Sequence, residues 1–228
     1  MLDWERNWRG AGVVFVVLTI VAFFVYGDQP KLGASPGELL SFFHGDRTRI
    51  LIATVIFCFA FLELLWFGAA LSSVLRDAGL AGWGAAATAS SAALGAILFL
   101  RMAVRAGLAL SIADLGHLQV TSGLADLAFA LTVISCFPAA MFVMSGAFGL
   151  SRAGIISKRF FWVGVAAVVL VLLGGTTWAS NGFWAPDGAY ALFAQIVLFA
   201  WIAVLSGFLA MRSPSTAPAP ERQAVPAA

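Results

Sequence analysis

Long apolar stretches separated by short polar ones dominate the chain, and their length sets the fold class. A helix that crosses a hydrocarbon core needs about 20 apolar residues, within a range of about 17–25. Six stretches meet that length: residues 10–26, 50–75, 83–105, 123–150, 160–180 and 188–211. The pattern predicts an all-α polytopic membrane protein, a bundle of six transmembrane helices. The first stretch is short and the fourth long, so different tilts are expected. Composition agrees. The chain is 61% hydrophobic and 11% charged, against about 25% charged residues in soluble domains.

Two segments fall outside this pattern. Ser35-Pro36-Gly37-Glu38 reads as a helix start, with Ser at the cap, Pro in the first turn and Glu placed to reach back. Leu39, Leu40, Phe42 and Phe43 follow on one face. They predict a short interfacial helix in the first outer loop, ending near Gly45; a lid over a substrate site is the sharper alternative. Residues 213–228 are rich in Pro and Ala and predict a disordered cytoplasmic tail.

Basic residues set the orientation. With the N-terminus inside, the cytoplasmic side carries Arg6, Arg9, Arg76, Arg152, Lys158, Arg159, Arg212 and Arg222. The other side carries Lys31, Arg47 and Arg49, with Arg101 and Arg105 near the end of the third stretch. Trp8, Trp83 and Trp162 then fall at the cytoplasmic interface, and Trp178 and Trp184 at the outer one. The expectation is a multi-pass protein of the cytoplasmic (inner) membrane with both termini cytoplasmic. Arg6 and Arg9 ahead of an apolar run superficially resemble a signal peptide. The run is longer than an h-region of about 7–15 residues, and Leu32 before Gly33-Ala34 makes a poor cleavage site. A retained first span is expected.

Polar residues inside the stretches are the candidate chemistry. Glu63 lies well within the second one, where a carboxylate needs a partner, a proton or a task. Ser90 and Ser91 of the third stretch and Ser135 of the fourth fall at a similar depth. Glu63, Ser90, Ser91 and Ser135 form a candidate intramembrane polar site, either a titrating group or a neutral hydrogen-bonded packing cluster. Arg101 and Arg105 are one turn apart on one face. With Asp126 they form a candidate outer-leaflet charge cluster; snorkelling to headgroups is the plainer account. Small residues at Gly84, Thr88, Ser91 and Gly95 let another backbone approach, so the third helix is expected to be central. Pro138 leaves the Ile134 carbonyl without its usual donor, beside Ser135.

Other chemistries find no support. Cys58 and Cys136 read as small packing residues. His44 and His117 fall in outer loops, which disfavours a bis-histidine haem. Asp114 and His117 share a loop and read as solvated. HExxH is absent, and no span pairs a Ser or Cys with a His. A net charge of +2 without a basic stripe argues against nucleic acid. No catalytic residue, metal or cofactor is assigned. The expected partners are the lipid bilayer and a small ligand or a partner membrane protein.

Asn7-Trp8-Arg9-Gly10, Gly27-Asp28-Gln29-Pro30, Ser35-Pro36-Gly37-Glu38 and Arg47-Thr48-Arg49-Ile50 resemble a family of bacterial, largely actinobacterial, six-transmembrane-helix proteins of unknown function. Trp83 after a Gly and Ala113-Asp114-Leu115 fit the same pattern. The family's Pro-Trp-Leu-Gly-Trp-like entry to the fifth span stands here as Lys158-Arg159-Phe160-Phe161-Trp162-Val163-Gly164, a departure. The resemblance implies the six-helix layout over nearly the whole ordered chain and no activity. The functional expectation is a non-catalytic integral membrane protein that binds or passes a small solute or proton, or binds a membrane partner. An enzyme acting on a lipid or quinone is the alternative.

Overall fold

The computed structural model describes residues 2–112 and 117–212, with side chains for 7–110 and 117–212. Among these residues all regular structure is helical. The helices are α1 (Leu2–Tyr26), α2 (Pro36–Gly45), α3 (Arg47–Asp77), α4 (Ala81–Gly107), α5 (Leu118–Arg152), α6 (Lys158–Gly174) and α7 (Ala189–Met211), with a π-helical turn at Leu108–Ile112 directly after α4. The expected disordered tail and Asp114 lie outside the described residues.

Five helices, α1, α3, α4, α5 and α7, are long and apolar enough to cross a membrane. The chain is therefore a multi-pass membrane protein by length and composition. The fifth apolar stretch, expected to run to residue 180, is helical only to Gly174. Its 17 residues span about 26 Å, a little under the ~30 Å hydrocarbon core. The reason is local. Gly174 and Gly175 are poor helix residues, and the Thr176 and Thr177 hydroxyls donate to the carbonyls of Leu173 and Gly174 at 2.7 and 2.8 Å. Trp184 Nε1 then donates to the Thr176 carbonyl at 2.8 Å and holds the loop back on itself.

Apart from α2, the helices form a closed ring. α1 packs on α3, α3 on α4, α4 on α5, α5 on α6, α6 on α7, and α7 returns to α1. Each neighbour runs antiparallel to the last. Along α1 and α3, Trp8 meets Trp66 while Phe23 meets Phe57. Along α6 and α7, Phe160 meets Phe208 while Gly174 faces Ala194. At the closing seam the buried Ser206 hydroxyl donates to the Arg9 carbonyl at 2.6 Å and accepts from the Val13 N–H at 3.2 Å. Arg9 also donates to the Arg212 carbonyl at 3.2 Å. The start of α1 and the end of α7 thus lie at one end of the ring, the terminal end. The α1–α2 and α6–α7 loops lie at the other, the loop end.

Lipid offers little hydrophobic drive for helix association, so close packing must hold the ring together. The α3–α4 seam is the clearest case. Gly68 lies against Ser91, Gly84 against the backbone and hydroxyl of Ser72, and Gly95 against Leu65. Of the small residues expected to admit another backbone, Gly84, Ser91 and Gly95 lie against one neighbour, α3, while Thr88 is exposed. On the outer side of α4, Gly82, Ala85, Ala89, Ala92 and Ala96 are exposed, so α4 is a ring member and not a central helix. The outward face of α3 carries exposed Ile52, Val55, Phe59, Leu62 and Trp66. A surface of that size and greasiness suits acyl chains and not water.

α1 ends at Gly27, whose φ of +72° only glycine adopts without strain. α2 starts as its sequence implies: the Glu38 N–H donates to Ser35 Oγ at 3.2 Å. Its Leu39 and Phe43 are buried, it packs on α5, and Phe42 stacks obliquely on Tyr26 with ring centroids 5.9 Å apart.

Candidate functional site

The site is built on the last turns of α4. Arg101 and Arg105 sit one turn apart and both face the ring interior, at 8% and 4% exposure. Neither reaches out to headgroups. Arg105 is held by two groups from the end of α1 and the loop after it. Its Nη2 donates to Gln29 Oε1 at 2.7 Å, and its guanidinium lies 4.9 Å from the centre of the Tyr26 ring. Arg101 has no such support: its buried Nε meets no hydrogen-bond acceptor. Among the described residues neither arginine is in an ion pair, and Asp126 points outward, exposed, on α5. Taking a charge out of water costs several kcal/mol unless a partner offsets it, and an arginine keeps its proton in proteins. Among the described residues no carboxylate offsets the Arg101 charge, and its Nε is unsatisfied.

Arg101 also divides two spaces. Below it, a cavity of about 50 Å³ draws its walls from all six ring helices, among them Phe57 and Phe61 of α3, Leu94 of α4, Val171 of α6 and Leu198 of α7. Above it, a vestibule of about 370 Å³ opens toward the loop end, past Asp28, Lys31 and Asp187. Arg101, Phe23, Thr132 and Gln195 line both and form the neck between them. Toward the terminal end the interior is filled. Leu64, Phe67, Leu71, Phe142 and Ile202 are fully buried there, and the Phe67 and Phe142 rings meet edge to face at 5.8 Å.

The polar groups of the cavity divide by what their hydrogens do. Thr132 donates to the Ala128 carbonyl at 3.0 Å, Ser135 to the Thr132 carbonyl at 2.7 Å and the Cys136 thiol to the same carbonyl at 3.8 Å. Their donors are taken. Thr19 Oγ1 is buried without a partner, and Thr19 and Arg101 both line this space. Among the described residues no carboxylate or imidazole lines the cavity. Ser135 and Cys136 therefore have no base beside them to make either a nucleophile.

No family model, no curated protein and no solved structure matches the chain. The site's chemistry must come from its own residues.

The sequence-derived candidates are divided by the fold. Arg101 and Arg105 come together as expected from their spacing, while Asp126 stands apart from them. Glu63 is half-buried and lines neither the cavity nor the vestibule. The α3 residues that touch α4 include Phe61, Leu65, Gly68 and Ser72, two positions before Glu63 and two, five and nine after it. That places Glu63 about 140–200° around the helix from the α4 seam, beside the exposed Leu62 and Trp66. Ser90 donates to the Ala86 carbonyl at 2.6 Å and Ser91 to the Thr88 carbonyl at 3.0 Å, both within their own helix. Ser135 alone of that set reaches the cavity. Glu63→Gln is accordingly expected to shift the unfolding midpoint by less than about 1 kcal/mol equivalent and to leave ligand binding unchanged in a direct binding assay.

Thr19, Gln29, Tyr26 and Gln195 were not evident from sequence reasoning. Thr19 and Gln195 carried a faint signal, each a polar side chain inside an otherwise apolar stretch.

Proposed function

We propose that this chain is a six-crossing protein of the cytoplasmic membrane, with both termini cytoplasmic, that holds a small ligand in its central cavity without catalysing a reaction. The observation that carries the ligand reading is Arg101, a buried cation with an unsatisfied Nε at the neck between a water-facing vestibule and an apolar cavity. A polar side chain left unpaired inside the membrane is costly and is usually put to use. The filled terminal half supports a one-sided binding pocket over an open passage.

Six crossings are supported by parity. Arg9 and Ser206 bring the start of α1 and the end of α7 to the same end of the ring, which supports an even number of passes. With five long helices, α6 supplies the sixth, and α2 lies across the loop end at the interface. The layout agrees with the one implied by the resemblance to actinobacterial six-span proteins. Reporter fusions at residues 1 and 228 are expected to read cytoplasmic together, and a fusion in the α6–α7 loop to read external. Opposite readings at the two termini would refute six crossings.

Native mass spectrometry of protein purified in mild detergent tests the pocket itself. One small adduct per chain is expected, lost when Gln195→Trp fills the neck. An adduct indifferent to that substitution, or none after reconstitution with small apolar solutes, would refute the reading.

A further inference from the structure

The chemistry of the neck also specifies the kind of ligand. Resting on the reading of the central cavity as a binding pocket, we infer that it takes a small, water-borne organic monoanion with a short apolar body, the acid on Arg101 and the body among the phenyl rings below.

Four observations converge on this class. The first is charge. Arg101 and Arg105 are both more than nine-tenths buried, one turn apart, with no carboxylate paired to either among the described residues. Two buried like charges repel, and a single negative group beside Arg101 would offset both the repulsion and the desolvation. Arg105 is already occupied by Gln29 and the Tyr26 ring, which leaves Arg101 as the group that meets the ligand.

The second is the donor inventory. Among the described residues that line the cavity, Arg101 and Thr19 each hold a buried polar atom, Nε and Oγ1, that lacks a partner. A guanidinium N–H donates only, and the Thr19 hydroxyl has its hydrogen unengaged. Such a pair is satisfied by an acceptor-rich group such as a carboxylate. The hydroxyls of Thr132 and Ser135 have already given their hydrogens to backbone carbonyls and compete for nothing.

The third is shape. The inner cavity, about 50 Å³, is about a third of the ~150 Å³ apolar cavity that accepts benzene in an engineered protein. At about 30 Å³ for a water-sized group it has room for about two carbons, and not for the acyl chains of a phospholipid. The wider vestibule, about 370 Å³, is bordered by residues of the connecting loops, so the route in is from water.

The fourth is the mouth. Asp28 and Asp187 stand there with Lys31, and Asp187 is committed to the Leu32 N–H at 2.9 Å. Two carboxylates at the entrance repel a polyanion strongly and a monoanion weakly, which favours a single negative charge.

Isothermal titration of the full chain in nanodiscs of a zwitterionic lipid, with propionate, 1-propanol and formate, tests the assignment. Propionate is expected to bind one to one, about tenfold or more tighter than 1-propanol, as one charge-assisted hydrogen-bonded contact implies. It should likewise exceed formate, which lacks the apolar body. Arg101→Gln is expected to abolish the preference for propionate over 1-propanol while 1-propanol still binds. Should that variant fail to fold, the wild-type series decides alone. 1-Propanol binding as tightly as propionate overturns the anion assignment and leaves the pocket standing. Formate matching propionate overturns the apolar body. Displacement of propionate by phosphatidylglycerol overturns a water-borne source in favour of a lipid headgroup. Failure of every probe to bind removes the pocket itself.

Discussion

Arg101→Met is expected to make the ligand-free protein more stable and unable to hold an anion. Most substitutions at residues as buried as Arg101 destabilise. Here the wild-type side chain brings an uncompensated charge into the ring interior, with its Nε unsatisfied and the Arg105 charge one turn away. Methionine keeps an unbranched stem of similar reach and removes the desolvation and repulsion terms together. Replacing buried ionic groups by apolar residues of similar volume is often neutral or stabilising by about 1–4 kcal/mol. A rise of that size is expected in the denaturant or thermal midpoint of protein in detergent, without ligand. In saturating propionate the order should invert, because only the wild type gains from binding. A variant less stable than wild type in the absence of any ligand would mean that Arg101 is satisfied within the fold, and the argument for a bound anion would fail with it.

The second large effect lies in the α3–α4 seam. A Cβ at Gly68 would overlap Ser91 Oγ and stand 2.6 Å from Ser91 Cβ, far inside van der Waals contact. Neither atom is the end of a flexible chain, so the helices must part. Gly68→Ala is expected to cost about 1–3 kcal/mol, and Gly68→Val more. Ser91→Gly should rescue much of this loss, because it removes the obstructing atoms. Its own cost is small, since the Ser91 hydroxyl serves only the Thr88 carbonyl of its own helix. The double-mutant cycle should give a coupling of about 1–3 kcal/mol. Additive effects would place the contact elsewhere. The seam also bears on the site, because α3 brings Phe57 and Phe61 to the cavity while α4 brings Arg101.

Much of the fold was legible in the apolar runs, because run length reports directly on the solvent that a helix must cross. The end of the fifth run was not. Its apolar residues continue past Gly174, and the loop forms through hydroxyl and indole hydrogen bonds that hydropathy does not register. Facing was the harder problem. In water an apolar stripe marks the inside of a helix, but here lipid and core are both apolar, so Glu63 carries no mark of which side it takes. Depth alone joined Glu63 to Ser90, Ser91 and Ser135, while their positions around each helix separate them. Arg101 and Arg105 were readable as one face by spacing. That the face turns inward depends on Gln29 and Tyr26, which arrive from the other end of a loop and two helices, Gln29 from 76 positions away. Thr19 and Gln195 gained meaning only when the ring brought α1 and α7 together around the cavity.

The seam held by Ser206 joins α7 to α1, the two staves farthest apart along the ring's chain order. Until the final stave is delivered, a nascent chain is a trough whose long opening faces the acyl tails, with a guanidinium on its floor. Docking of that stave turns the trough into a vessel and hides the charge from lipid in one step. A copy without that stave would show the acyl tails the group that a closed ring keeps covered.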